Sequence, residues 1–456
     1  MGNYCLLRRL AKVALGLNYG QRQGRCILAM TLTTTLALVV PARATTWQIQ
    51  ADGQGDAPTV QAGIDSAVAG DTVLVSPGTY NEDLDFVGKN LVLRSQLGPE
   101  VTILDGTGQD SSVVVFRSGE SRSAVLEGFT ITNGEGTFYA GEGDPKYGGG
   151  LFCKRGSPTV RGNKFLRNHA AWGGGAWAGI QNMIYQPWEL PEPLFEGNVF
   201  EENLAERGGG GLLIDASRAF VVGNKFIRNA IRLEGDGGGI RIDMRFFPAF
   251  VWVEQNEFYD NVATDQGGGL YAYMTPDAEG VDIRGNLFVR NQAQGIGPSS
   301  DSYGSGGGIG VSEVIGTIAN NTIVSNIGNP DLPCGGGGIR LDATTSSLSV
   351  TNNIIAGNTN CAVTCRHNGT AQFGTNLLWN NTGTSLDSCP QGWSNSVIQA
   401  DPQFCGQGVD DYTVAASSPA LTGGSTLGAF STPGCGPVSV NVTTWGLLKN
   451  LYHGRR

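Results

Sequence analysis

The strongest pattern along the chain is a short polar and apolar unit that recurs. The motif Asn-x-apolar-x-x-Asn occurs at Asn163/Phe165/Asn168, Asn198/Phe200/Asn203, Asn224/Phe226/Asn229, Asn256/Phe258/Asn261, Asn286/Phe288/Asn291, Asn321/Ile323/Asn326 and Asn353/Ile355/Asn358, with a degenerate copy at Asn376/Leu378/Asn381. Glycine triplets lie between the copies, starting at Gly148, Gly173, Gly209, Gly237, Gly267, Gly306 and Gly336, 25 to 39 residues apart. So variable a period does not suit a propeller blade or a helical repeat. It suits a solenoid whose strands are fixed and whose loops absorb insertions.

Each triplet is followed by Leu-Phe-Cys, Ala-Trp-Ala, Leu-Leu-Ile, Ile-Arg-Ile, Leu-Tyr-Ala, Ile-Gly-Val or Ile-Arg-Leu. The first and third residues are always apolar or Cys, and the middle one varies. This alternation predicts a short strand whose outer positions face a core and whose middle position faces out. Flanking glycines and the shortness of each run exclude helix. Coils stacked at the β spacing of about 4.8 Å place equivalent side chains above one another. An inward Asn at a bend then bonds its own turn and the Asn of the next coil, a Phe column fills the interior, and the glycines allow tight corners. The glycine runs lack the Lys-Ser/Thr of a phosphate-binding loop and precede strands, so they are read as structural.

The ends of the chain break this pattern. Residues 1–44 carry Arg8, Arg9, Lys12, Arg22 and Arg25 with no acid, then the apolar run Cys26 to Val40, then Ala42-Arg43-Ala44. Charge order, core length and small-residue cleavage site read as a secretory signal peptide, and the apolar run is too short and too rich in Thr for a membrane anchor. Removing 1–44 would take away six basic residues and move the formal charge from 30 − 40 = −10 to 24 − 40 = −16. So acidic a surface disfavours nucleic acid and anionic lipid, and leaves neutral glycans without penalty. Cys153, Cys334, Cys361, Cys365, Cys389, Cys405 and Cys435 remain, five of them after residue 360 where the repeat fades. In an oxidising compartment they are expected to pair and staple the C-terminal part, with the connectivity open. Cys361-x3-Cys365 with His367 admits a metal-site reading, but the further ligands that would complete one are missing from the neighbourhood.

The repeat columns, together with Val60-Gln61-Ala62-Gly63-Ile64-Asp65-Ser66-Ala67, Gly70-Asp71-Thr72-Val73-Leu74-Val75 and Pro77-Gly78-Thr79-Tyr80, resemble right-handed parallel β-helix proteins of the pectin-lyase-like superfamily over roughly residues 46 to 425. The resemblance implies an all-β, single-stranded right-handed parallel β-helix across 45–436, opened by a short amphipathic capping helix that covers exposed strand edges. Asp401-Pro402-Gln403-Phe404 and Ser418-Pro419-Ala420-Leu421 resemble the closing coil of exported β-helix proteins. The segment 437–456 is expected to be a tail, read either as a frayed helix or as a sorting or attachment signal on the strength of Trp445-Gly446-Leu447-Leu448-Lys449. A monomer is expected.

Candidate chemistry sits on the outward positions after the triplets. In coil order the middle positions are Phe152, Trp177, Leu213, Arg241, Tyr271, Gly310 and Arg340, and the next outward set is Lys154, Gly179, Asp215, Asp243, Tyr273, Ser312 and Asp342. Stacking is expected to bring Asp215 and Asp243 onto adjacent coils beside Arg241. Phe152, Trp177, Tyr271 and Tyr273 are then candidates to stack on sugar rings of a polysaccharide or cell-surface glycan. The resemblance implies that a β-elimination lyase would use a Ca²⁺-binding acid cluster with an Arg or Lys base, so Asp215, Asp243, Arg241 and Lys154 are the catalytic candidates and Asp215 and Asp243 the metal candidates. The signatures surrounding the lyase base or the hydrolase aspartates of that superfamily are not recognisable here. The sequence therefore favours a secreted or surface-associated binding or structural module over its rival, a polysaccharide lyase, epimerase or glycoside hydrolase.

Overall fold

The computed structural model describes residues 44–435, apart from 140–144, 181–189, 246–247, 276–277, 296–305, 333, 344–346, 368–370, 391, 423–425 and 431. The signal-peptide reading of 1–44 thus lies almost wholly outside the described residues, and the tail reading of 437–456 lies wholly outside them. What is described is one right-handed parallel β-helix, the sense that crossovers between parallel strands adopt. Each coil passes in turn through a front sheet (strands such as Leu151–Lys154 and Leu212–Asp215), a flank sheet (Thr159–Arg161, Phe220–Val222), a rear sheet (Lys164–Leu166, Lys225–Ile227) and a return sheet (His169–Trp172, Leu204–Gly208). Among the described residues these sheets hold 11, 12, 12 and 7 strands. Every neighbouring pair in the front, flank and rear sheets is parallel, for instance Leu212↔Ile240 and Lys164↔Val199.

The recurring residues form the interior columns that the repeat predicts. Phe165, Phe200, Phe226, Phe258 and Phe288 lie in register, ring centroids 4.4 to 4.9 Å apart and ring planes within 9° of parallel. Ile323, Ile355 and Leu378 continue the column. Two Asn ladders flank it at the bends. Asn224 Oδ1 accepts from the backbone N–H (2.9 Å) and Nδ2 (2.9 Å) of Asn198, while Asn224 Nδ2 donates to Phe195 O (2.9 Å) and Asn256 Oδ1 (3.0 Å). Bends leave backbone groups unpaired inside a core, and these amides satisfy them in a place water does not reach.

The three glycines of a triplet do three different things. The first has a left-handed backbone, φ +67° at Gly173. A Cβ on the second, Gly174, would stand 2.5 Å from Gly210 O of the next coil, and one on the third, Gly175, 3.0 Å from Phe200 Cδ1. Corner and Phe column are thus fitted to one another without room for a methyl group.

Both ends are closed. The helix Val60–Ser66 is capped by Thr59 Oγ1, which accepts from Ala62 N at 3.1 Å, and it buries Val60, Gly63 and Ile64 against the first coil. At the other end Trp393 stacks on Phe373 with centroids 4.6 Å apart. Disulfides Cys334–Cys361, Cys365–Cys389 and Cys405–Cys435 tie the last coils, and Cys153 is a buried free thiol. The pairing of Cys361 and Cys365 with other cysteines removes the metal reading of Cys361, Cys365 and His367.

The segment after residue 400 does not add a further coil. Phe404–Gly406 and Asp411–Val414 pair antiparallel, and Phe404, Tyr412 and Phe430 pack on Leu287, Val289 and Val324, outward residues of the rear sheet. The reason is visible in the strands: from Lys164 to Tyr259 each coil has one charged outward rear residue (Lys164, Glu201, Lys225, Glu257), whereas the later pairs Leu287/Val289, Thr322/Val324 and Ile354/Ala356 have none, and that less polar stripe needs a cover.

Candidate functional site

The variable period has a spatial meaning. Flank and rear strands are joined by tight pairs such as Gly197-Asn198, and rear and return strands by pairs such as Glu202-Asn203. Most of the long joins adjoin front strands: 180–193, 245–249, 275–279 and 343–347 follow them, and 294–308 and 325–338 precede them, whereas 96–101 links a flank strand to a rear one. Most of the variation in coil length therefore enters the chain at the two ends of the front strands.

Two outward columns run along that face. The first is Val115, Phe152, Trp177, Leu213, Arg241, Tyr271, Gly310, Arg340 and Thr364. It departs from expectation, because Phe152 (1% exposed), Trp177 (0%) and Tyr271 (6%) are buried. Tyr147 and Trp172 from the return sheet, together with Tyr139, close over Val115, Phe152, Trp177 and Leu213. Trp177 lies 5.4 Å from Tyr147, 5.7 Å from Tyr139 and stacks on Phe152 at 5.0 Å. The glycine corner brings the return strands so near the front strands that their aromatics share one apolar cluster. Phe152, Trp177 and Tyr271 thus present no open ring face, which corrects their reading as sugar-stacking residues. Tyr273 stays half-buried, with the Arg245 guanidinium 4.9 Å from its ring centre.

The second column is Lys154, Gly179, Asp215, Asp243, Tyr273, Ser312, Asp342 and Arg366. Asp215 and Asp243 face each other in register on adjacent coils, as the repeat predicts. Their settings differ. Asp243 pairs with Arg245 Nε at 2.8 Å and Arg241 Nη2 at 3.2 Å. Burial, and next the negative charge of Asp243, push the Asp215 carboxyl up to about 8, against the pull of Arg241 and Arg245. The Trp177 indole nitrogen also favours the charged form of Asp215, yet it has no partner in hydrogen-bond geometry. At neutral pH Asp215 is consequently a protonated acid beside an arginine-held carboxylate. Lys154 is not part of this group: Gly179 separates it from Asp215, and its ammonium lies 4.0 Å above Tyr139 and donates to Tyr139 O at 3.2 Å. Burial, then Arg155 and Arg117, hold its pKa below the usual lysine value.

Arg241 extends the network inward. Its Nη1 donates to Asp236 Oδ2 at 2.9 Å, and its guanidinium lies 5.4 Å from the Trp172 ring and 5.7 Å from the Tyr271 ring. Asp265, raised to about 7 by burial and then by Asp236, feels the same charges and has one buried oxygen lacking a partner. Sequence reading missed Asp236 and Asp265. Their signal was an acid at or one position before the residue preceding a triplet, where the register aligns Trp172, Gly208 and Asp236. It also missed Phe220 and Trp252 on the flank sheet. These stack at 4.4 Å with Arg122 over Phe220, turning ring faces toward each other rather than outward.

The metal reading of Asp215 and Asp243 does not fit the donors. Among the described residues no three His, Cys, Asp or Glu side chains are placed to share an ion. Ca²⁺ takes six to eight oxygens, whereas this pair supplies two carboxyl groups, one of them already bound by two arginines. No step below is routed through a metal.

No family model matches the chain, and no curated protein matches it. Among solved structures it is similar to the catalytic unit of a thermostable GH87 α-1,3-glucanase from Streptomyces thermodiastaticus (16% identity, TM-score 0.45, 79% of this chain and 68% of that one). It is also similar to the pectate lyase Pel9A (15%, 0.43, 87% and 95%) and to the pectin methylesterase from carrot (11%, 0.32, 79% and 91%). The strand register establishes the architecture by itself, and the chain is a right-handed parallel β-helix.

Proposed function

We propose that the protein is an exported glycan-cleaving enzyme, a hydrolase whose reacting groups are Asp215 and Asp243 on the outward face of the front sheet. The observation that carries this reading is the pair itself: two carboxyl groups in register on adjacent coils, one in an apolar setting against Trp177 and the other bound by Arg241 and Arg245. Such a division separates acid from base at one pH. Adjacent coils stand about 4.8 Å apart, close to the separation of about 5 to 5.5 Å between the carboxyl groups of retaining glycosidases. In that chemistry the Asp215 proton passes to the glycosidic oxygen as its bond to the anomeric carbon breaks. An Asp243 oxygen bonds to that carbon, and water then displaces Asp243 while returning a proton to Asp215. Three disulfides accord with an oxidising, extracellular setting. Among the described residues no helix is long and apolar enough to cross a membrane.

The burial of Phe152, Trp177 and Tyr271 leaves Tyr273 as the one ring of the four candidates that is partly open to a sugar, which weakens the support for a binding-only module. The test is incubation of the mature protein with a polysaccharide panel, with and without Ca²⁺, following reducing ends and unsaturated-product absorbance separately. New reducing ends that fall about 10²- to 10⁴-fold in Asp215→Asn and Asp243→Ala support hydrolysis. Unsaturated products would move the assignment to elimination with Arg241 as base. Retention of a polysaccharide without any product would return it to a binding module.

A further inference from the structure

Three coils beyond Asp243 on the same column, about 14 Å along the axis at the β spacing, stands Asp342. Its side chain is 12% exposed and both oxygens are engaged. Oδ2 accepts from Arg340 Nη2 at 2.8 Å, and Oδ1 lies 2.6 Å from His367 Nδ1. The Arg340 side chain is 3% exposed, whereas that of His367 is 59% exposed. Burying an Arg–Asp pair incurs a desolvation penalty that its attraction recovers poorly. Here the pair holds a ring that is itself in solvent. In the tautomer whose Nδ1–H donates to Asp342, the lone pair lies on Nε2, and the aspartate fixes the direction of the ring.

Other outward positions nearby do not show this arrangement. Ala216, Glu313 and Ala343 hold the same left-handed place just after a front strand (φ +46°, +57° and +45°; His367 +48°), so the backbone conformation belongs to the coil. The oriented histidine belongs to this coil alone among those four.

We propose that His367 is a distal glycan-binding residue, its Nε2 accepting a hydrogen bond from a hydroxyl of a chain that lies along the front face with its reacting bond at Asp215 and Asp243. The proposal rests on the glycan-cleaving reading and deepens it: the substrate is a polymer bearing free hydroxyls, since a mono- or disaccharide seated at Asp215 and Asp243 does not reach His367. Asp342 and Arg340 are positioning residues.

The test uses the mature chain with ¹⁵N-labelled histidine and Asp215→Asn, which retains bound chains. The chain has three histidines, His169, His367 and His453, and His367→Gln assigns the signal. Gluco-, manno- and xylo-oligosaccharides are added as disaccharides and hexasaccharides. A hexasaccharide is expected to shift the His367 Nε2 resonance while the disaccharide leaves it in place, and Asp342→Asn is expected to abolish the response. With Asp215 restored, His367→Gln should raise KM for the hexasaccharide about tenfold, the worth of one hydrogen bond, and leave kcat and disaccharide kinetics unchanged. A hexasaccharide that is cleaved while His367 stays unmoved overturns this proposal and spares the hydrolase reading. A shifted His367 with no cleavage of any sugar supports the binding site and sinks the hydrolase. An equal effect of His367→Gln on both lengths also overturns the proposal.

Discussion

The rear interior and the front exterior of this β-helix obey the same alternation and use it in opposite ways. In the rear column five coils in a row repeat Phe, and the Asn ladders beside it repeat one amide through eight coils. On the front exterior no residue type repeats through three successive coils: Lys154, Gly179, Asp215, Asp243, Tyr273, Ser312 and Asp342 follow one another. Uniform columns come from packing, which asks the same question of every coil. A column whose members differ is free of that demand.

The contrast can be broken from the rear first. Asn256→Ala leaves Asn224 N–H, Asn224 Nδ2 and Val221 O without their partners inside the core. A loss of about 3 to 6 kcal/mol is expected at the orphaning cost of buried polar groups, read as a lower denaturant midpoint. The front column predicts a pH effect instead. Asp215 has its folded pKa raised to about 8 by burial and Asp243, so the native state keeps a proton that the unfolded chain releases above its ordinary carboxylate pKa. Stability should therefore fall as pH rises from the ordinary carboxylate range to about 8 and level off beyond it. In Asp215→Asn that slope should be shallower and should end near pH 7, where the remaining contribution of Asp265 is exhausted, and a pH series of thermal unfolding checks both. Gly239→Ala places a methyl 2.5 Å from Gly269 O and 2.9 Å from Phe258 Cδ1. Overpacking of this kind costs about 1 to 3 kcal/mol, measurable by the same unfolding assay. The smallest effect belongs to Ser312→Ala on the front exterior, within about 0.5 kcal/mol of wild type; a large loss there would erase the distinction between the two regions.

The same distinction explains what the sequence disclosed. Phe165, Phe200 and Phe226, the Asn ladders, the triplets and the adjacency of Asp215 and Asp243 follow from periodicity, because a shared register carries local spacing into space. The burial of Trp177 and Phe152 does not follow from it, since the covering rings of Tyr139, Tyr147 and Trp172 come from another sheet or from a long join. Asp236 and Asp265 escaped notice for a related reason: they stand at the corner, where neither the front nor the return alternation assigns a direction. The disulfide partners and the antiparallel pair laid over the rear sheet were equally out of reach, because they depend on where a non-repeating segment comes to rest.

The long joins that border the front sheet have a consequence for how such a molecule changes over generations. The joins 180–193 and 294–308 differ widely in length from their counterparts in other coils, while Ala178↔Ile214 and Phe258↔Phe288 keep their partners whatever the intervening length. The scaffold thereby tolerates changes of length at the ends of its front strands without renegotiating the core.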